Sequence, residues 1–358
     1  MHTLRWANSF CERGWKVDLI TWRKPVSDFA VHQDLTIHYI ISPPHSLARY
    51  TALFEISRIL RKLRPDIIHA HYISTFGILA GLYSRLFGFS PVVMTAWGRY
   101  NLANSKRIHR KLIKNALKTA DLITCDAEHM AEEMEKLGAA RENIRIIYFG
   151  TDTQKFKPQP KSEKLLESLG LKNSPVVISV RSLNPIYDIE SLIKAIPLVL
   201  KEVPEAKFII AGNGKQKDYL AGLAKDLEVS DSIRFTGLIT ENQLPFYFNL
   251  VDIYVSTSLS DAGLSASTAE AMACGLPPVI TDFGDNGEWV EDNVNGFLVP
   301  LKNPPELAAK IINLLQDKAK RQRFGEASRN IIDENNSRDK EMGKMEELYI
   351  EQIERCQK

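Results

Sequence analysis

Asp261, Gly263, Leu264, Ser265, Ser267 and Glu270 lie close together in the stretch YVSTSLSDAGLSASTAEAMACGLPP, Tyr254 to Pro278. An apolar, strand-like run gives way to a loop of Ser, Asp and Gly. A short helix of small residues follows at once, closed by Gly275 and Pro277. The first backbone N–H groups of such a helix, from about Leu264 to Ser267, have no partner inside it and carry the positive end of its dipole, which suits a phosphate. Glu270 falls within the same helix. A carboxylate there would not bind the phosphate but could accept two hydrogen bonds from the vicinal hydroxyls of a ribose. The same residues also fit a plain strand-to-helix turn that bears an exposed acid.

Elements on either side must hold this stretch in place, and their pattern is regular. Strand-like runs at Val17–Trp22, Asp66–His71, Val92–Thr95, Leu122–Cys125 and Ile144–Tyr148 alternate with helical segments such as Leu53–Leu63. After a Lys-, Pro- and Ser-rich link within Phe156–Ser174 the alternation restarts at Val176–Val180, Lys207–Ala211, Ile233–Phe235, Ile253–Val255 and Pro278–Thr281. Alternation of this kind predicts an α/β protein with two doubly wound parallel sheets. The domains read as residues 1–160 and 161–338, with a helix over 339–358 whose stripe of Met342, Met345, Leu348, Tyr349 and Ile353 would pack back on the first domain. Ligands of such sheets sit outside the carboxyl ends of the strands. Arg181, Gly212 in AGNG, Gly237 with Leu238, and the Asp261–Glu270 segment each follow a predicted strand.

At 358 residues, with 44% hydrophobic and 25% charged content, the chain has enough material for two cores. No apolar run approaches the ~18 residues of a spanning helix, and no signal peptide is evident. The four cysteines lack metal spacing, which suits reduced thiols and a cytoplasmic location. The net charge of +2 hides an asymmetry: residues 1–158 carry 23 Lys and Arg against 14 Asp and Glu, and the remainder 23 against 30. Arg99, Lys106, Arg107, Arg110, Lys111, Lys114 and Lys118 accompany Leu112, Ile113 and Leu117 at near-helical spacing. This is either a solvated helix face or a surface for anionic lipid or a phosphorylated acceptor. His69 and His71 share one face of a strand, without further metal ligands around them.

In order and spacing, PDIIHAHY at Pro65, TAWG at Thr95, ADLITCDAE at Ala120, IRIIYFGTDTQKFKP at Ile144, AGNG at Ala211, RFTGLI at Arg234, AEAMACGLPPVITD at Ala269 and VNGFLVP at Val294 resemble the retaining glycosyltransferases of family 4, of GT-B fold, over nearly the whole chain. The resemblance implies a nucleoside-diphosphate sugar held by the C-terminal domain and a glycan or lipid-linked acceptor on the N-terminal one, in cell-surface polysaccharide or glycolipid synthesis. It implies no essential metal, no cofactor and no nucleic acid. Arg181 matches the diphosphate-binding arginine, Glu270 the second glutamate of a paired motif, and Gly237 and Leu238 the residues flanking the base. His2, Trp97 and Gly98 would lie on the acceptor side. Peripheral contact with the cytoplasmic face of a membrane through the basic domain would accompany this.

The chain departs from that pattern at four places. The first motif glutamate is replaced by Ala262, with Asp261 one place earlier. The expected lysine falls near Tyr187, and Trp97 stands where a histidine is usual. Trp97 would then either stack on a sugar or pack in the core. The first strand is missing ahead of HTLRWANSF, which would expose Leu19 and Ile68. A sugar-nucleotide 2-epimerase of the same fold, and a degenerate scaffold without catalysis, are the alternative readings.

Overall fold

A computed structural model describes residues 2–22, 30–44, 48–97, 107–261 and 263–357. The chain forms two compact units, residues 1–149 with 339–358, and residues 150–338. The division falls earlier than 160 because the residues just after Gly150 are tied into the second unit. Thr151 N donates to Asn336 O at 2.7 Å, and Arg329 Nη1 donates to Phe156 O at 2.6 Å.

The first unit holds strands β1 (Asp18–Thr21), β2 (Thr36–Tyr39), β3 (Ile68–His71), β4 (Val92–Thr95), β5 (Leu122–Cys125) and β6 (Ile144–Ile146). They make two parallel sheets, β1-β2 and β3-β4-β5-β6. Among the described residues no strand precedes the helix His2–Glu12 and no backbone hydrogen bond joins β1 to β3. Where a doubly wound sheet would be continuous it is therefore divided. The expectation that Leu19 and Ile68 would be exposed does not hold, since both are half-buried. Ile20 and Ile68 pack against one cluster formed with Leu53, Ile56, Leu60 and Leu79, and Leu19 packs against Leu4, Ala7 and Cys11. Helices thus cover both sheets from either face. The helix Arg338–Gln357 places Met342, Met345 and Tyr349 in a core with Trp6, Phe10, Val93 and Leu122, as its apolar stripe predicts.

The second unit holds β7 (Val176–Val180), β8 (Lys207–Ala211), β9 (Ile233–Gly237), β10 (Ile253–Ser256), β11 (Pro278–Thr281) and β12 (Phe297–Val299), all parallel. Their order, β12-β11-β10-β7-β8-β9, reverses direction between β7 and β10. Near-continuous runs of Val, Ile and Phe make these strands because both faces are covered, one by the helices Ile189–Glu202 and Pro304–Gln316 and the other by Leu244–Phe248 and Ala266–Ala273. In an open α/β sheet the reversal leaves a crevice at the carboxyl ends of the two strands that flank it.

Candidate functional site

Arg181 follows β7, and the Asp261–Ser267 loop follows β10, so the two sequence elements flank the reversal. The helix Ala266–Ala273 starts there, capped by Ser265, whose Oγ accepts from Thr268 N at 3.3 Å. Among the described residues, no acceptor faces the backbone N–H groups of Leu264 to Ser267. These are the donors expected from the sequence.

The Arg181 guanidinium stands beside them and is almost wholly buried, its side chain 8% exposed. Nη1 donates to Ser267 Oγ at 3.4 Å, and Nη2 donates to Asp261 Oδ1. Nε is buried with no acceptor among the described residues. The ring of Tyr187 lies 4.7 Å from Cζ and covers one face of the guanidinium plane. Burial pulls the Arg181 pKa down, and the Asp261 carboxylate together with Tyr254 and Tyr187 more than offsets this, leaving it raised. Behind Ser267 the phenol of Tyr254, fully buried, shares a hydrogen bond with Ser267 Oγ at 2.8 Å. Burial pushes that phenol's pKa up, so it stays neutral and fixes the Ser267 hydroxyl.

Glu270 is buried, 5% exposed, on the helix Ala266–Ala273. The alternative of an exposed acid on a plain turn is therefore overturned. A buried carboxylate is costly unless it has partners, and Glu270 has one in the structure. Gly212 and Gly214 bring the end of β8 against Arg181 and Leu183: Arg181 N donates to Ala211 O at 3.0 Å and Leu183 N to Asn213 O at 3.0 Å. A Cβ on Gly212 would lie 2.0 Å from Arg181 O, and one on Gly214 2.2 Å from Leu183 O. Gly237, at φ +70°, ends β9 and its carbonyl accepts from Gly212 N at 2.7 Å. Leu238 beyond it is 75% exposed, an apolar side chain presented to solvent at a strand end. Asn286 is buried and donates to Thr281 O, so it braces the loop after β11.

In the first unit Trp97 is 7% exposed. Its Nε1 donates to His71 Nδ1 at 2.7 Å, its ring stacks on His71 at 5.9 Å, and Trp6 meets it edge-on at 5.2 Å. Packing, rather than an open face for a sugar, describes this tryptophan. The acceptance of that bond at Nδ1 puts the His71 proton on Nε2 when the ring is neutral. His69 is partly buried, held between Tyr349 Oη on Nδ1 and Thr95 Oγ1 on Nε2, the latter at 2.5 Å. Burial, then the neighbouring His71, hold its pKa well below the usual value. Both histidines thus serve the core of the sheet edge. His2 opens the helix His2–Glu12, and its side chain, like Gly98 and Ala262, lies outside the described residues. Among those residues no group of three His, Cys, Asp or Glu side chains could hold a metal ion.

Residues 161–331 match the family model described as Glycosyl transferases group 1, and residues 1–127 the model described as Glycosyl transferase 4-like. The chain belongs to the group 1 glycosyltransferases. An Escherichia coli relative named UDP-Gal:alpha-D-GlcNAc-diphosphoundecaprenol alpha-1,3-galactosyltransferase is 28% identical over 315 residues, covering 84% of this chain and 79% of its own. A Bacillus anthracis N-acetyl-alpha-D-glucosaminyl L-malate synthase is 22% identical over 351 residues, 95% of this chain and 90% of its own. Anabaena HepE, solved in complex with UDP, superposes with a TM-score of 0.80 at 20% identity, covering 93% of this chain and 99% of that one. The fold is accordingly GT-B, with two Rossmann-like units.

The signals for Arg181 and the glycine turns were visible in sequence because each follows an apolar run, and that for Glu270 because it falls in the short helix after the Ser, Asp and Gly loop. The phenol of Tyr254 behind Ser267 and the stacking of Tyr187 on Arg181 were not foreseen, although Ser267 lay in the segment already read as an anion site.

Proposed function

We propose that this glycosyltransferase moves a sugar from a nucleoside diphosphate to an acceptor hydroxyl with retention at the anomeric carbon, without a metal or cofactor. The observation that carries the reading is the buried Arg181, with an unpartnered Nε, set beside the free N–H groups of the helix Ala266–Ala273. A diphosphate there would be met by a cation and a helix dipole together, which stabilise charge as it builds on the leaving group. Glu270 binds the ribose hydroxyls and Leu238 covers the base. The sugar–phosphate bond breaks and the acceptor oxygen bonds to the same face of the anomeric carbon. The acceptor's proton passes to the departing phosphate oxygen, so charge balances without a further reactant. His2, Gly98 and Trp97 stand on the acceptor side in this reading, with Trp97 acting through its hold on His71.

The acceptor is lipid-linked or part of a cell-surface glycan, and the protein works at the cytoplasmic face of a membrane. Support comes from the helix Arg107–Leu117, where Arg107, Arg110, Lys111, Lys114 and Lys118 form one stripe, and no ion pair engages them among the described residues. Ile108 on this helix is 77% exposed, and Ile41, Tyr50 and Phe54 are exposed at 92%, 67% and 66% in the same unit. Basic residues with exposed apolar side chains suit an anionic bilayer surface. No helix among the described residues is long and apolar enough to cross a membrane.

The test is release of sugar from a panel of UDP-, GDP- and ADP-sugars, in EDTA, by the wild type and by Arg181→Ala and Glu270→Ala. Turnover of one donor that survives EDTA and drops in both variants supports the reading. Binding without turnover of any donor, with or without added membrane extract, would instead leave a scaffold.

A further inference from the structure

The diphosphate site is already occupied by a carboxylate of the chain itself. Asp261 is 10% exposed and accepts from Arg181 Nη2. Two further groups of Arg181 are not held by Asp261: Nη1, on a long 3.4 Å bond to Ser267 Oγ, and Nε, buried with no acceptor among the described residues. Tyr187, at the place of an expected lysine, stacks on the guanidinium and brings no second charge. At the guanidinium the side chains therefore set one arginine against one carboxylate, Asp261. A phosphate that takes the Arg181 Nη2 edge has to displace Asp261 from it, since two anions cannot share that edge in a buried site without strong repulsion.

We propose that Asp261 is a resident anion, a specificity-determining residue that must leave Arg181 before a diphosphate binds and that returns to it when the product departs. The inference rests on the reading of Arg181 as the diphosphate arginine. Its consequence is a threshold. Affinity for any phosphate ligand is lowered by the fraction of molecules in which Asp261 has left, so weakly held anions are kept out and the spent nucleoside diphosphate is helped to leave. A donor sugar nucleotide overcomes the threshold through contacts that a bare phosphate lacks.

The test uses inorganic pyrophosphate, which needs no knowledge of the base, titrated calorimetrically at constant ionic strength into the wild type, Asp261→Asn, Asp261→Ala, Arg181→Ala and the Arg181→Ala/Asp261→Asn double variant. Thermal denaturation checks that each is folded. Both Asp261 variants are expected to bind pyrophosphate about tenfold tighter or more, the gain appropriate to a competent state that is ~10% populated or less. The gain should vanish in the double variant, because it acts through Arg181. Unchanged or weaker binding in both Asp261 variants, with Arg181→Ala clearly weakened, overturns the resident-anion proposal and leaves the donor site standing. Arg181→Ala binding as tightly as the wild type overturns the donor site and this inference with it.

Discussion

Gly212→Ala should disable the donor site without touching any group that would meet the donor. The added Cβ falls 2.0 Å from Arg181 O and 2.9 Å from Arg181 C, both backbone atoms that cannot rotate away. Contact of a real Cβ needs at least ~3.0 Å, so the end of β8 and the Arg181 peptide must part by about 1 Å. Gly212 also sits at φ +141°, which an alanine adopts at a cost of about 1–3 kcal/mol. The bonds Arg181 N to Ala211 O and Gly212 N to Gly237 O would stretch, carrying the guanidinium away from the helix start. A displacement of about 1 Å in a positioned group can cost roughly 100-fold in rate. The assay is donor hydrolysis together with thermal denaturation, with Gly222→Ala as the matched control. Gly222 lies in the helix Lys217–Asp226 with nothing within 4 Å of its Cβ position, so that change should stabilise by about 0.5–1 kcal/mol and leave activity alone. A Gly212→Ala protein with wild-type melting and turnover would refute the argument that this close approach positions Arg181.

Three more outcomes are expected. His69 has a pKa depressed by burial, so the unfolded chain binds the extra proton first; its contribution to stability is full above about pH 6.5 and is lost as pH falls below it, at up to about 1.4 kcal/mol per pH unit. Melting curves between pH 7.5 and 5.5 should therefore be flatter for His69→Gln, and parallel curves would rule this out. A thiol reagent should modify one cysteine quickly, Cys356, since Cys11 is buried and burial pushes Cys125 and Cys274 up to about 12 each; fast reaction of more than one of the four in the native protein contradicts the packing. Lys111→Glu with Lys114→Glu should weaken sedimentation with anionic vesicles by about 30-fold or more at low salt, from about 1 kcal/mol per lost cation, and leave pyrophosphate binding intact; equal sedimentation would remove the case for this face as the membrane surface.

The long buried strands were legible because both faces of a parallel sheet demand apolar residues: Val92–Thr95, Leu122–Cys125, Val176–Val180, Lys207–Ala211 and Pro278–Thr281 stand in the structure at the limits read from sequence. β2 and β12 were not recognised as strands. TIHY is short with exposed ends, and FLV has three residues, so neither shows a period. The division between β1 and β3 places Leu19 and Ile68 at facing sheet edges. Their burial was not legible, because helices from elsewhere in the chain cover them.

The site divides in the same way, and the division says where its positive potential arises. Backbone donors at a helix start and a charged residue after a strand follow from local sequence. The Arg181–Asp261 pair joins residues 80 positions apart, and the Tyr187 stack depends on where a short turn, Pro185–Tyr187, aims one ring. Sequence reading therefore found an arginine and missed what neutralises it. With Asp261 paired to Arg181 the side-chain charge of that pair cancels, and the attraction for a diphosphate must come from the oriented N–H groups of Leu264 to Ser267 and from the Arg181 edge that Asp261 gives up. Dipoles fixed in the backbone are not rearranged when a ligand arrives, whereas Asp261 has to move. The movable part of the site is thus its negative charge, and donor affinity in this chain should respond more to residue 261 than to any added cation.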